Sequence, residues 1–246
     1  VRSRRQRQMC IRDRIYTRNP SGPFTTSTLQ QTSSSKLGFG ASRTMQIAQR
    51  LYQGIDIDGE TVGLITYMRT DGTNISKDAV ATFRDFITSN YGETYLPPAP
   101  LNYSGKKAKN AQEAHEAIRP TEIGRVPEDM KKYLSTDQYK LYNLIWSRSL
   151  SSQMESAKFD RKTITITSED NKNICKASGS TLKFDGFLKV SRLDENKDDE
   201  NILPEVGKGE VEFNDFTDEQ HFTQPPPRYS EASLVKKLEE LGIGRP

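Results

Sequence analysis

The sequence holds two cysteines, two histidines and one tryptophan, and no apolar run approaches the roughly 18 residues that a bilayer-crossing helix needs. Each scarcity removes a class of protein. Cys10 falls in an unusual N-terminal run and Cys175 then stands alone, so neither a disulfide framework nor a cysteine zinc site can be built. The HExxH, CxxC and Walker-type glycine spacings are missing as well, which leaves zinc hydrolysis and nucleotide-phosphate chemistry without a motif. The chain reads as soluble, with no membrane partner, in a reducing and cytoplasmic setting.

What is present begins with charge. Residues 1–14, "VRSRRQRQMCIRDR", contain six arginines and one aspartate; removing these from the 36 basic and 33 acidic residues leaves 30 against 32. The net charge of +3 therefore resides in the first 14 residues and argues for no partner. A nucleic-acid arm, a targeting segment and non-native sequence compete for that run. It lacks the apolar core of a secretory signal and nothing amphipathic follows it, so it reads as translated sequencing-adapter read-through and is expected to stand outside the fold.

Further stretches set the expected organisation. Residues 21–36, "SGPFTTSTLQQTSSSK", read as a low-complexity linker, with a phosphate-facing hydroxyl and amide surface that includes Ser33 as the sharper alternative. A helix is expected from Ser42 to Gln53 with Met45, Ala48, Leu51 and Tyr52 on its core stripe. Asp58-Gly59 marks a hairpin whose second arm should run from Thr61 to Thr70. Ser76 or Asn74 should cap a helix to about Asn90, and Ser135 or Thr136 should begin the second of two helices between Pro127 and Met154. From Phe159 the period changes to two: "KTITITS", then two strands with a turn at Gly179, then "GEVEFNDFTDEQHF", with an acidic loop at 194–201. A last helix should follow Ser230.

The segment "GLITYMRTDGTNIS", residues 63–76, carries the chemistry. On a strand, Ile65, Tyr67 and Arg69 would share one face and Leu64, Thr66 and Met68 the other. A phenol titrates near pH 10 and attacks poorly unless a neighbouring base or cation favours its phenolate. A guanidinium supplies that cation together with a planar fork matched to phosphate. Alone, a tyrosine two residues before an arginine is a packing pattern far more often than a reactive one. His115, flanked by Glu113 and Glu116 and four residues before Arg119, could face a phosphate with that arginine, sit as a structural histidine, or join a metal site.

These residues carry a resemblance. "ITYMRTDGTNIS" closely resembles the active-site segment of bacterial type IA DNA topoisomerases, and "FTTSTLQQ", "KLGFGASRTMQIAQRLY", "QEAHEAIRPT" and "FTQPPPRYSEASLVKKLEELGIGRP" resemble further blocks of that family in the same order. Gly72 stands where most relatives have serine. The resemblance implies an α+β, multidomain architecture: a mostly helical active-site domain over 15–152, a β-rich gate or hinge segment over 153–226, and the start of a helical DNA-binding domain over 227–246, all part of a toroidal clamp. It implies Tyr67 as nucleophile toward a single-stranded DNA phosphodiester and Arg69 as the cation beside it, with His115, Arg119, Thr66, Asp71 and Ser33 as DNA contacts. Arg245 is either a phosphate contact or a stub without partners. The implied activity is ATP-independent relaxation of negatively supercoiled DNA through a 5′-phosphotyrosyl intermediate, by a monomeric, nucleoid-associated enzyme. Its magnesium would be held by a Toprim domain that has no counterpart in this sequence, so the chain is expected to be an internal fragment, inactive by itself. A topoisomerase III-like or reverse gyrase-like enzyme is the nearer alternative; a non-catalytic single-strand DNA-binding module, stacking bases on aromatics, is the more distant one.

Overall fold

Thr44, Ile47, Ala48 and Leu51 are buried at the three- and four-residue spacing that defines one side of a helix, and they seat α2 (Ala41–Gln53) against its neighbours. The computed structural model describes residues 8–103, 116–168, 172–191, 202–206, 219–241 and 243. Helices and sheet are mixed in one α+β chain, which divides into two compact units.

The larger unit comprises Asn19–Ser156, Gly186–Leu193 and Arg228–Pro246 and is mostly helical. Its first helix, α1 (Thr26–Leu37), occupies the stretch expected to be a linker. Hydroxyl-rich sequence has modest helix propensity, but here the ends are chemically fixed. Thr25 and Thr28 form a reciprocal capping box, and Gly38 closes the other end in a left-handed conformation at φ 70°. Thr26, Leu29 and Ser33 form the buried side. In α2 the N-cap is Gly40 rather than Ser42, and Tyr52, expected on the core stripe, is 42% exposed.

Asp58 (φ 53°) and Gly59 (φ 92°) turn the hairpin of β2 (Ile55–Ile57) and β3 (Glu60–Val62) through two left-handed residues, as a two-residue loop of this twist requires. The second arm stops at Val62 instead of Thr70. At Gly63 the chain turns in toward the end of α2: a Cβ there would meet the Tyr52 carbonyl at 2.7 Å, and the Leu64 amide donates to the Leu51 carbonyl at 2.8 Å. Pairing with α2's orphan carbonyls thus replaces further ladder pairing.

Ser76 caps α3 (Lys77–Tyr91), which buries Phe83 and Ile87. After the one-turn α4 (Pro127–Met130), a Ser135–Gln138 capping box starts α5 (Thr136–Ser151). Leu141, Tyr142, Leu144, Ile145 and Leu150 give α5 the largest share of the core. Its Trp146 indole donates to the Ile123 carbonyl and its Tyr142 phenol to the Arg125 carbonyl, strapping the preceding loop to the helix. In α6 (Glu231–Glu240), Ser230 and Ser233 exchange backbone-to-hydroxyl bonds at the first turn.

The smaller unit comprises Val1–Arg18, Ala157–Asp185 and Asp194–Pro227. Its described part is an antiparallel sheet ordered β1 (Gln8–Arg18), β4 (Ala157–Thr167), β5 (Ile174–Phe184). Residues 8–14, expected to stand outside the fold, are paired residue for residue with β4, from Gln8 opposite Thr167 to Arg14 opposite Arg161. Ladder bonds are made by peptide groups, so an arginine-rich run satisfies them as well as an apolar one. The turn expected at Gly179 is also absent, because Gly179 stays extended and pairs with Lys162 inside one eleven-residue strand. The strand expected over "GEVEFNDF" and the acidic loop at 194–201 lie outside the described residues.

Candidate active site

Tyr67 lies on an irregular segment, Gly63 to Thr70, that is pinned from both sides. On one side the chain "EAIRPT" runs antiparallel to it through a bridge between Ile65 and Pro120. The Thr66 amide donates to the Arg119 carbonyl at 2.9 Å and the Thr121 amide to the Leu64 carbonyl at 3.0 Å. The Thr66 hydroxyl donates to the Ala117 carbonyl at 2.7 Å and accepts from the Arg119 amide at 3.0 Å. Two motifs some fifty residues apart in sequence are joined here by backbone and one hydroxyl. On the other side Thr26, at the start of α1, bonds to Met68 and Thr70.

Burial along this segment alternates: Met68 and Thr70 point inward while Tyr67 and Arg69 are exposed. The shared outward side expected for Tyr67 and Arg69 is present although the strand is not. Ile65, expected on that side, is buried, because it faces the bridge to Pro120. The Tyr67 ring packs edge-on against Tyr52, with centroids 5.5 Å apart and planes at 68°. That orientation is a favourable aromatic pairing, and it leaves Tyr67 41% exposed. Arg69 borders a hollow of about 300 Å³ whose other polar walls are Gln30, Ser42, Gln46 and Gln49.

Other tyrosines show what a packing role looks like. The Tyr103 phenol donates to the Ser152 carbonyl at 2.9 Å, and burial pushes its pKa up to about 12. Burial likewise raises Tyr142, whose phenol is held by the Arg125 carbonyl, and Tyr91, with the Glu128 carboxylate adding to the effect. Such phenols are kept protonated and turned inward. Tyr67 is 41% exposed, and Arg69, two residues on, is exposed as well.

The remaining expected contacts are distributed unevenly. Asp71 is exposed just past the segment. Arg119 is largely buried, its guanidinium bound to the Glu116 carboxylate at 2.6 Å and donating to the Pro120 carbonyl at 3.0 Å. Glu116 also accepts the Ser76 amide at 3.1 Å, linking the cap of α3 to the "EAIRP" segment. Ser33 is fully buried in α1, so it offers no hydroxyl to a surface phosphate in this conformation. His115 and Arg245 lie outside the described residues. Among the described residues no three His, Cys, Asp or Glu side chains gather as a metal-binding group, and no helix is long and apolar enough to cross a membrane. Sequence reasoning did not bring Thr26 or Tyr52 to this site, and it named Glu116 only as a flank of His115, although its i,i+3 spacing to Arg119 signalled the ion pair.

Comparison with known proteins identifies the chain's family. A family model described as DNA topoisomerase matches residues 6–246. The chain is 55% identical over 233 residues to DNA topoisomerase 1 of Rickettsia bellii, covering 93% of this chain and 29% of that protein. It is also 55% identical to DNA topoisomerase 1 of Rickettsia felis, covering 30% of it. Among solved structures it resembles full-length topoisomerase I from Thermotoga maritima, with a TM-score of 0.79 and 38% identity over 98% of this chain and 38% of that one.

Proposed function

This chain belongs to the DNA topoisomerase family, and from that premise we propose that it carries the strand-cleaving tyrosine of a type IA enzyme. The observation that bears most on this reading is an outward-facing Tyr67 beside an outward-facing Arg69 on a backbone anchored at both ends. The Tyr67 phenol oxygen attacks a phosphorus of single-stranded DNA and forms a 5′-phosphotyrosyl ester. The bond from phosphorus to the 3′ oxygen breaks, the phenol gives up its proton to solvent, and the leaving oxygen takes one proton from solvent to become a 3′-hydroxyl, so that protons balance. Religation reverses the step when the 3′-hydroxyl attacks the ester. One phosphodiester is exchanged for another, so no ATP is consumed.

Phosphoryl transfer depends mostly on positioning and on charge placed where the transition state needs it. Arg69 fits that role because its planar fork can span two phosphate oxygens. Arg119, already paired with Glu116, supports the reading as a framework residue whose backbone holds Thr66. His115, Asp71 and Arg245 are proposed as DNA contacts. The described residues do not offer a magnesium site, and no step above passes through a metal. The chain spans 29–30% of the length of the curated relatives it matches, and relaxation of negatively supercoiled DNA is proposed as the work of the whole protein, as a cytoplasmic monomer.

The test is covalent trapping. Full-length enzyme containing this chain, mixed with 3′-labelled single-stranded oligonucleotide and quenched in denaturant, should yield a protein-linked label that disappears in Tyr67→Phe, because the fragment held on the tyrosine is the one 3′ of the break. A binding module without catalysis would give no denaturant-resistant label in either protein, and that result would reject the proposal.

A further inference from the structure

We infer that Thr26 is a positioning residue for the cleavage step, acting through the backbone on either side of Arg69; the inference rests on the reading of Tyr67 and Arg69 given above. A guanidinium at the end of four rotatable bonds stabilises a developing charge only if its Cα is fixed, since an error of about 1 Å can cost on the order of a hundredfold in rate. Among the described residues, the segment beyond Thr66 pairs with no neighbouring strand. Thr26 supplies the missing partner.

Its hydroxyl donates to the Met68 carbonyl at 2.8 Å and accepts the Thr70 amide at 2.8 Å, while its own amide donates to the Thr70 carbonyl at 2.9 Å. A hydroxyl has one proton to give, so the 3.1 Å approach of the same oxygen to the Thr70 carbonyl is secondary to the amide bond that carbonyl already receives. The residues before and after Arg69 are thereby tied to one side chain. Thr26, Met68 and Thr70 are all buried, at 2%, 5% and 2% exposure, so water does not stand in for a lost partner.

The anchor is itself rigid. Thr26 is the first residue of α1, directly after the N-cap Thr25, whose amide donates to the Thr28 hydroxyl at 2.9 Å. A β-branched side chain is stiff about χ1. Serine would keep both hydrogen bonds with a looser rotor, whereas valine would keep the shape and lose both. The polar start of α1 that made the stretch look like a linker is what holds the arginine-bearing backbone.

The experiment is a double-mutant cycle in full-length enzyme containing this chain, scored as the single-turnover rate of denaturant-resistant adduct formation. Thr26→Val should slow the step by about ten- to a hundredfold with the DNA concentration for half-maximal rate changed less than about twofold, and Thr26→Ser should stay within about threefold of the parent. In an Arg69→Ala background the valine substitution should add less than about twofold, because the group it positions is gone. A full, undiminished loss in that background, or a loss confined to DNA affinity, overturns the inference. If Thr26→Val does not fold, the same cycle is run with Thr26→Ala against Thr26→Ser and judged by the same coupling. Persistence of adduct in Tyr67→Phe would instead sink the underlying reading, so the two failures are separable.

Discussion

At the scale of single residues, Tyr103 and Arg69 give sharp expectations. The Tyr103 pKa is raised by burial to about 12 in the folded chain, against about 10 when unfolded. The folded state therefore holds the proton more tightly, and the associated stability is complete below about pH 10 and lost as the pH climbs through about 12. Tyr103→Phe should cost about 1 kcal/mol near neutral pH through the lost bond to the Ser152 carbonyl. It should also flatten the alkaline decline, so urea midpoints of parent and variant should converge at about pH 11; parallel curves would reject this account. For Arg69, replacement by lysine keeps the charge and removes the fork. Adduct formation should fall by about one to two orders of magnitude while a lysine-tolerant point-charge role would leave it within about threefold. The shared exposure of Tyr67 and Arg69 was legible in sequence because residues two apart share a side whenever the chain is extended, strand or not. Ser33 was misread because nothing in a hydroxyl-rich stretch tells which side of a helix will be covered; Leu29, one turn earlier, was the clue.

At the scale of elements, local chemistry was readable and long-range pairing was not. The Asp58-Gly59 turn, the Ser76 cap and the Ser135–Gln138 box follow from side chains acting on amides within three residues. Ser135→Ala should accordingly lower stability by about 1 kcal/mol, measured by urea denaturation, without altering adduct formation. The end of β3 could not be read, because it depends on Gly63 meeting the Tyr52 carbonyl, eleven positions back along the chain. Gly63→Ala places a Cβ 2.7 Å from that oxygen. It should cost about 1–3 kcal/mol and, unlike Ser135→Ala, should also slow adduct formation, since the displaced segment leads directly into Tyr67. An unchanged rate at reduced stability would show that the segment absorbs the shift before it reaches the tyrosine.

At the scale of the molecule, the family was legible because several blocks stand in one order, and the comparisons bear that out over residues 6–246. The period change read from Phe159 falls inside β4 of the sheet unit, but that unit also takes in Val1–Arg18, which no change of period announced. Relaxation should need more than this chain. Incubated with negatively supercoiled plasmid and magnesium, residues 1–246 alone should leave the plasmid supercoiled, while restoring the length its relatives possess should relax it and Tyr67→Phe should abolish that again. Relaxation by the chain alone would contradict the proposed division of labour. The first strand of the sheet bears on how the protein can be divided. Because β4 recognises β1 through main-chain donors and acceptors along eleven positions, that edge reads spacing and not spelling. A peptide of alternating character supplied from outside, or a different leader fused ahead of Asn19, could be laid against it in the same way, which makes this edge a natural seam for splitting the protein and rejoining it.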